Sequence, residues 1–141
     1  MAKYIDAIND TLRAEGIFNG SLGYVKDPQD AGGETVAGIS RRFHPTWDGW
    51  KIVDGYKNKP NFPYTLKKDE ILIQKVMAFY KPNFWDKIDG DHIKDQEIAS
   101  MLLKEAVLGG YRKAIKRAES IVGLTETGVI TTDLIRKLNA L

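Results

Sequence analysis

The chain has 141 residues, 43% of them hydrophobic and 28% charged, which is the composition of a folded domain long enough to bury its own core. Twenty-one Lys and Arg against 19 Asp and Glu leave a net charge of +2, too small to point to a nucleic acid or an anionic membrane as partner. There are no cysteines, which excludes disulfide scaffolds, thiol catalysis and the common structural zinc sites, and no apolar run is long enough to span a membrane.

In chain order, Tyr4, Ile5, Ile8 and Leu12 recur among polar residues at helical spacing, and Gly16 marks the end of that first helix. The N-terminus lacks the continuous apolar run of a secretory signal, so synthesis in the cytoplasm is expected. From Ile17 to Asp54 the periodicity disappears and Gly and Pro punctuate the segment, which predicts a long loop with a small hairpin around 23–25 and 35–39. Residues 56–64 read as a surface connection. Helical spacing returns at 66–80, with Ile71, Leu72, Val76, Phe79 and Tyr80 on one face and Pro82 after the end; Phe84 and Trp85 then pack back onto the core. A third helix is predicted over about 95–108 with Ile98, Leu102, Leu103 and Ala106 inward, broken by Gly109 and Gly110 from a fourth that contains Ala114, Ala118 and Ile121. Thr131, Thr132 and Asp133 offer N-caps for a last helix with Leu134, Ile135, Leu138 and Leu141 inward. The prediction is an all-α, helix-dominated fold in a single domain, 1–141.

A compact helical domain rarely keeps so long an irregular stretch unless it binds or catalyses something, which singles out 23–45. Asp27 and Asp30 sit beside Pro28 and the Gly32–Gly33 pair, and Glu34 and Thr35 follow directly, so several polar groups are tied to tightly constrained backbone. Taken alone, an Asp in such a setting more often forms an Asx-turn than performs chemistry.

The segment GYVKDPQDAGGETVAGIS at 23–40, with FHPTWDGW at 43–50 and YKPNFWDKI at 80–88, resembles the lysozyme-like muramidases of glycoside hydrolase family 108, whose members include secretion activators and phage endolysins. Their signature runs roughly E-G-G-Y-V-N-D-P-x-D-x-G-G-E-T-x-x-G-I. The likeness extends to the first helix, to DQEIASMLLKEAV at 95–107, and to a C-terminal part similar to the family's peptidoglycan-binding segment. It implies a lysozyme-like fold, with 1–90 carrying the catalytic motif and about 91–141 a helical C-terminal part.

In the family the essential Glu directly precedes Gly-Gly-Tyr, whereas Ser21 stands three residues before Tyr24 here. Aligning from the first helix instead matches the family's Glu-Gly to Glu15–Gly16, with Ile17 to Leu22 inserted. A carboxyl at a helix C-terminus meets the negative end of the macrodipole, which favours the protonated form that a general acid needs. Glycoside cleavage also needs a second group. By likeness to phage-type lysozymes, Asp30 is expected as base or electrostatic partner and Thr35 as the holder of the attacking water, with inversion of configuration; Asp27 is the alternative second carboxylate, or an orderer of the loop. Tyr24, Gly32, Gly33, Glu34 and Gly38 are expected to shape the loop or contact substrate.

The resemblance thus implies an N-acetylmuramidase that attacks peptidoglycan glycan strands as a monomer, without cofactor or metal, reaching the wall by a holin or other export route and causing bacteriolysis. His44 and His92 lack metal-ligand spacing, no nucleic-acid module is present, and the Arg112–Lys113 and Lys116–Arg117 pairs read as a solvated face. Trp47, Trp50 and Trp85 read as core anchors before sugar platforms. Three departures favour the alternative of an inactive lysozyme-fold protein that holds peptidoglycan or a protein partner in a phage or secretion assembly. They are the 17–22 insertion, Lys104 and Leu108 where the family shows Asp and Asn, and ETGVITTDL in place of D-G-x-I-G.

Overall fold

The computed structural model describes residues 1–14, 20–26, 29 and 33–141, with the side chain of Ala14 left out. The described chain is α-dominated. It carries α1 (Tyr4–Ala14), β1 (Val25–Lys26), β2 (Glu34–Val36), β3 (Ile39–Ser40), α2 (Gly49–Tyr56), α3 (Glu70–Tyr80), α4 (Gln96–Gly109), α5 (Tyr111–Ile121) and α6 (Thr132–Leu138). Two compact units arise, one formed by 12–78 and the other by 1–11 together with 79–141.

In the 12–78 unit the three short strands form an antiparallel sheet in the order β1-β2-β3, with Val25 opposite Thr35 and Thr35 opposite Ser40. The predicted hairpin is therefore one strand larger. Val36 and Ile39 are joined by Ala37 and Gly38, both at positive φ, the signature of a two-residue type I′ turn that suits the twist of the strands. Leu22 also has positive φ and is fully buried, and its carbonyl accepts the N–H of Ala37 at 2.9 Å, so the last residue of the 17–22 insertion is pinned into this unit's core. Leu12, Val36, Ala37, Ile39, Trp50, Val53, Leu66, Leu72 and Val76 are the other buried apolar residues described in that unit.

The segment 17–54 is not all loop, because α2 begins at Gly49. This helix has eight residues, two of them glycine, and no side-chain cap, so its local propensity is weak and burial of Trp50 and Val53 holds it together. Gly49 is required by packing: a Cβ there would come within 2.3 Å of the Trp47 ring, which meets Trp50 edge-on. Ile71, expected inward on the 66–80 helix, is 61% exposed, because that stretch is a 3₁₀ turn at Leu66–Lys68 followed by α3, which turns Leu72 and Val76 to the core instead. Leu141 is likewise 73% exposed, since α6 stops at Leu138.

In the unit formed by 1–11 and 79–141, the helical path does not end at Pro82. Having no N–H to continue the α ladder, Pro82 lies near the start of a single π turn, Lys81–Trp85, and Asn83 Nδ2 donates to the Phe79 carbonyl at 2.7 Å. This turn delivers Trp85 to full burial as expected, where its Nε1 donates to Asp91 at 2.8 Å, the Tyr4 ring tilts against it, and Gly90 lies so close that a Cβ would approach to 2.3 Å. The chain's start is tied in by Ala2 N–H to the Ile93 carbonyl and by Lys3 to Gln96. Asp95 caps α4 and Thr131 caps α6, each accepting a backbone N–H three residues on. The buried Glu119 of α5 accepts from the N–H and hydroxyl of Thr127 and the N–H of Gly128, all at 2.8 Å, so the departure ETGVI is a loop wound on a carboxylate.

Only Gly110 separates α4 from α5, and it sits at φ 95°, ψ 145°, a conformation close to one that only glycine occupies cheaply. Gly110→Ala is therefore expected to destabilise the protein by about 1–3 kcal/mol, although nothing lies within 4 Å of the added methyl. Gly109→Ala, inside the helix, is expected to be neutral or mildly stabilising. Thermal melts of the two variants separate strain from crowding.

Candidate active site

Among the described residues of the glycine-rich stretch, Tyr24 and Arg41 converge on the carboxylate of Glu34. Strand alternation sends Glu34 and Val36 to the buried side of β2 and leaves Thr35 half-exposed on the other. The Glu34 side chain is only 7% exposed, so its charge must be met inside the protein. Tyr24 donates its hydroxyl to Oε2 at 2.8 Å, Arg41 donates Nη1 to Oε1 at 2.6 Å, and Lys57 donates Nζ to Oε1 at 3.0 Å. Arg41 also grips Asp54 through two parallel bonds of 2.7 and 2.9 Å, and Lys57 reaches Asp54 at 3.0 Å. The guanidinium lies over the Trp50 ring, 5.1 Å from its centre. Two carboxylates and two cations thus alternate in one cluster that ties β2 and the residue after β3 to α2.

The electrostatics follow from this arrangement. Burial by itself raises the Glu34 pKa, but the bonds from Lys57, Arg41 and Tyr24 outweigh it and hold the carboxyl below its ordinary value. Arg41 chiefly, against some burial, holds Asp54 well below the carboxylate range. Burial first and the bond to Glu34 second push the Tyr24 hydroxyl up to about 12. Glu34 is therefore an ionised anchor with its oxygens occupied, and the wrong group to donate a proton.

Of the residues expected at the site, the structure brings together Tyr24, just before β1, and Glu34 and Thr35 on β2. Gly33 leads into β2 and Gly38 supplies the hairpin turn. The Thr35 hydroxyl makes a long 3.4 Å bond to the Val25 carbonyl. Glu15, Asp27, Asp30 and Gly32 lie outside the described residues. Arg41, Asp54 and Lys57 were not singled out by sequence. The signal available was weak: a cation just after the β-rich segment, and an acid and a base three apart on what proves to be the end of α2. Among the described residues, no group of three or more His, Asp or Glu is arranged to hold a metal.

Glu34→Ala is expected to cost about 2 kcal/mol. That is less than the roughly 3–5 kcal/mol for breaking a fully buried pair, because Arg41 and Lys57 are about a third exposed and keep Asp54. Asp54→Asn, at a more exposed position, is expected to cost under about 1 kcal/mol. Because the folded pKa of Glu34 lies below its ordinary 4.5, the anchor's contribution is complete above that pH and is lost as pH falls through the folded value. Denaturant midpoints measured downward from pH 6 should fall below about pH 4.5, and less steeply in Glu34→Gln; an unchanged slope in that variant contradicts the assignment.

Comparison with known proteins places the chain in a family. The Glycosyl hydrolase 108 family model matches residues 8–110. Seven solved chains match, among them SagA from Brucella abortus, which is 24% identical over 98% of this chain and 69% of its own, with a TM-score of 0.60. At that identity the likeness concerns the fold. No curated protein matches. The family match takes in most of α1, the entire sheet with the Glu34 cluster, and α4, and on that footing the chain belongs to the glycosyl hydrolase 108 family, the lysozyme-like glycoside hydrolases that degrade peptidoglycan.

Proposed function

We propose that the protein is an N-acetylmuramidase that hydrolyses the β-1,4 bond between N-acetylmuramic acid and N-acetylglucosamine. The observation that carries this reading is the family match across the segment holding the Gly-Tyr-Val and Gly-Gly-Glu-Thr motifs. The saturated Glu34 supports it indirectly: with that carboxylate committed to Tyr24, Arg41 and Lys57, the acid role falls to a different group.

Glu15, which directly follows the last described residue of α1, protonates the glycosidic oxygen as the bond from the anomeric carbon breaks and positive charge grows on the sugar ring. Asp30 stabilises that charge and takes a proton from a water on the opposite face, whose oxygen becomes the new hydroxyl with inverted configuration. Thr35 holds this water. Its hydroxyl donates weakly to Val25 and keeps its oxygen lone pairs to accept from the water. Asp27 orders the loop, and Gly32, Gly33 and Gly38 shape it. The helical part from about 91 to 141 holds the wall, and the site of action is the cell wall, reached by a holin or another export route.

Lys104 and Leu108, both exposed, stand where the family carries Asp and Asn, and they favour a second reading: a lysozyme-fold protein that holds peptidoglycan without cleaving it. Release of muropeptides from purified peptidoglycan separates the two. Glu15→Gln is expected to lower release by about 100-fold or more with an unchanged melting temperature. Asp30→Ala should reduce turnover more than Asp27→Ala. Sedimentation of the wild-type protein with insoluble wall and no released muropeptide would leave the second reading standing; retained lysis by Glu15→Gln would remove Glu15 from the mechanism.

A further inference from the structure

Among the described residues two aromatic side chains are exposed, Phe43 at 75% and Tyr64 at 65%. Leaving a large ring in water forgoes roughly 2 kcal/mol of burial, so such a ring is worth explaining when its surroundings hold it still. Phe43 has the Arg42 guanidinium 5.7 Å from its centre. Tyr64 has neither a ring nor a cation stacked on it among the described residues. Its near neighbour is backbone: a methyl group built on Gly20, which is at positive φ, would lie 3.4 Å from ring carbons Cδ1 and Cε1, so a side chain there would reach the ring, and the ring keeps most of its surface in solvent.

The backbone that carries the ring is hydrogen-bonded. The Tyr64 N–H donates to the Asn61 carbonyl at 2.7 Å, with Asn61 at positive φ, and the buried Leu66 follows two residues later. Phe62 meets the Tyr24 ring edge-on at 4.9 Å, and the Tyr24 hydroxyl is bonded to Glu34. A continuous set of contacts therefore runs from the ionised anchor through Tyr24 and Phe62 to the segment that presents Tyr64. Gly20, beside the ring, belongs to the 17–22 insertion and lies five residues beyond Glu15 in the chain.

We infer that Tyr64 is a stacking platform for an N-acetylhexosamine ring, and that Gly20 serves the glycan subsite by leaving room for that platform. This deepens the muramidase reading and rests on it. The C–H face of a β-linked pyranose is apolar and flat enough to cover an aromatic ring. The tyrosine hydroxyl at the rim can exchange hydrogen bonds with the sugar's substituents.

The test is calorimetric titration of the full-length protein with the β-1,4-linked hexamer of N-acetylglucosamine, with muropeptide release from purified peptidoglycan read separately. Tyr64→Ala and Tyr64→Leu are expected to weaken hexamer binding roughly five- to tenfold, while Tyr64→Phe, Tyr64→Trp and Phe43→Ala stay within about twofold of the wild type. Melting temperatures exclude unfolding as the cause, and the leucine variant separates stacking from apolar bulk. Wild-type affinity in Tyr64→Leu or Tyr64→Ala, or no hexamer binding by the wild type, overturns the inference. If the wild type releases no muropeptides yet binds the hexamer through Tyr64, the hydrolase reading falls and the platform stands; if it lyses and Tyr64→Ala binds normally, the reverse holds.

Discussion

A carboxylate withdrawn from water must find its hydrogen bonds and its countercharge within the protein, and the buried Glu34 imposes that requirement on the sheet-bearing unit. Its needs are met by a phenol from the residue before β1, a guanidinium just after β3 and an ammonium just beyond α2. Each donor comes from a different stretch of chain, so satisfying one charge assembles four segments. Strand alternation does the rest. With Glu34 turned inward, its neighbour Thr35 faces the other way, half-exposed, on a strand whose register is set by two hydrogen-bonded partners. Three very short strands would otherwise have little to hold them.

The same constraint divides labour among the acids. Glu34 lies in the most recognisable stretch of the loop, yet three donors occupy its oxygens and keep it ionised. A carboxylate so committed serves geometry. Asp54, bonded twice to Arg41, is of the same kind. In the proposed reaction the proton donor is accordingly a group other than Glu34 or Asp54.

Elements whose apolar residues repeat at helical spacing and whose ends carry caps were readable from sequence. α4 begins at its Asp95 cap and α6 at its Thr131 cap, and the Gly109–Gly110 break lies between α4 and α5. Elements held by tertiary contact were not readable. α2 carries two glycines and no cap bond, and only burial of Trp50 and Val53 makes it helical. Pro82 signals an end by every local rule, but a π turn carries the helical path through it so that Trp85 can be buried. At the site, the motif that carries Tyr24, Glu34 and Thr35 was legible because its residues are contiguous. Arg41, Asp54 and Lys57 were not, because a charge cluster is defined by distances that local patterns do not encode. The neighbourhood of Tyr64 is not legible for a similar reason, since Gly20, beside its ring, stands 44 positions earlier in the chain.

The organising role of Glu34 can be measured at the atom concerned. A carbon-13 NMR titration following the side-chain carboxyl of Glu34 should give a midpoint below 4.5, with the Tyr24 hydroxyl remaining protonated to well above pH 10. A Glu34 midpoint at or above 4.5 would mean a carboxyl that holds its proton. It would then be a candidate acid in its own right, and the anchor described here would not exist.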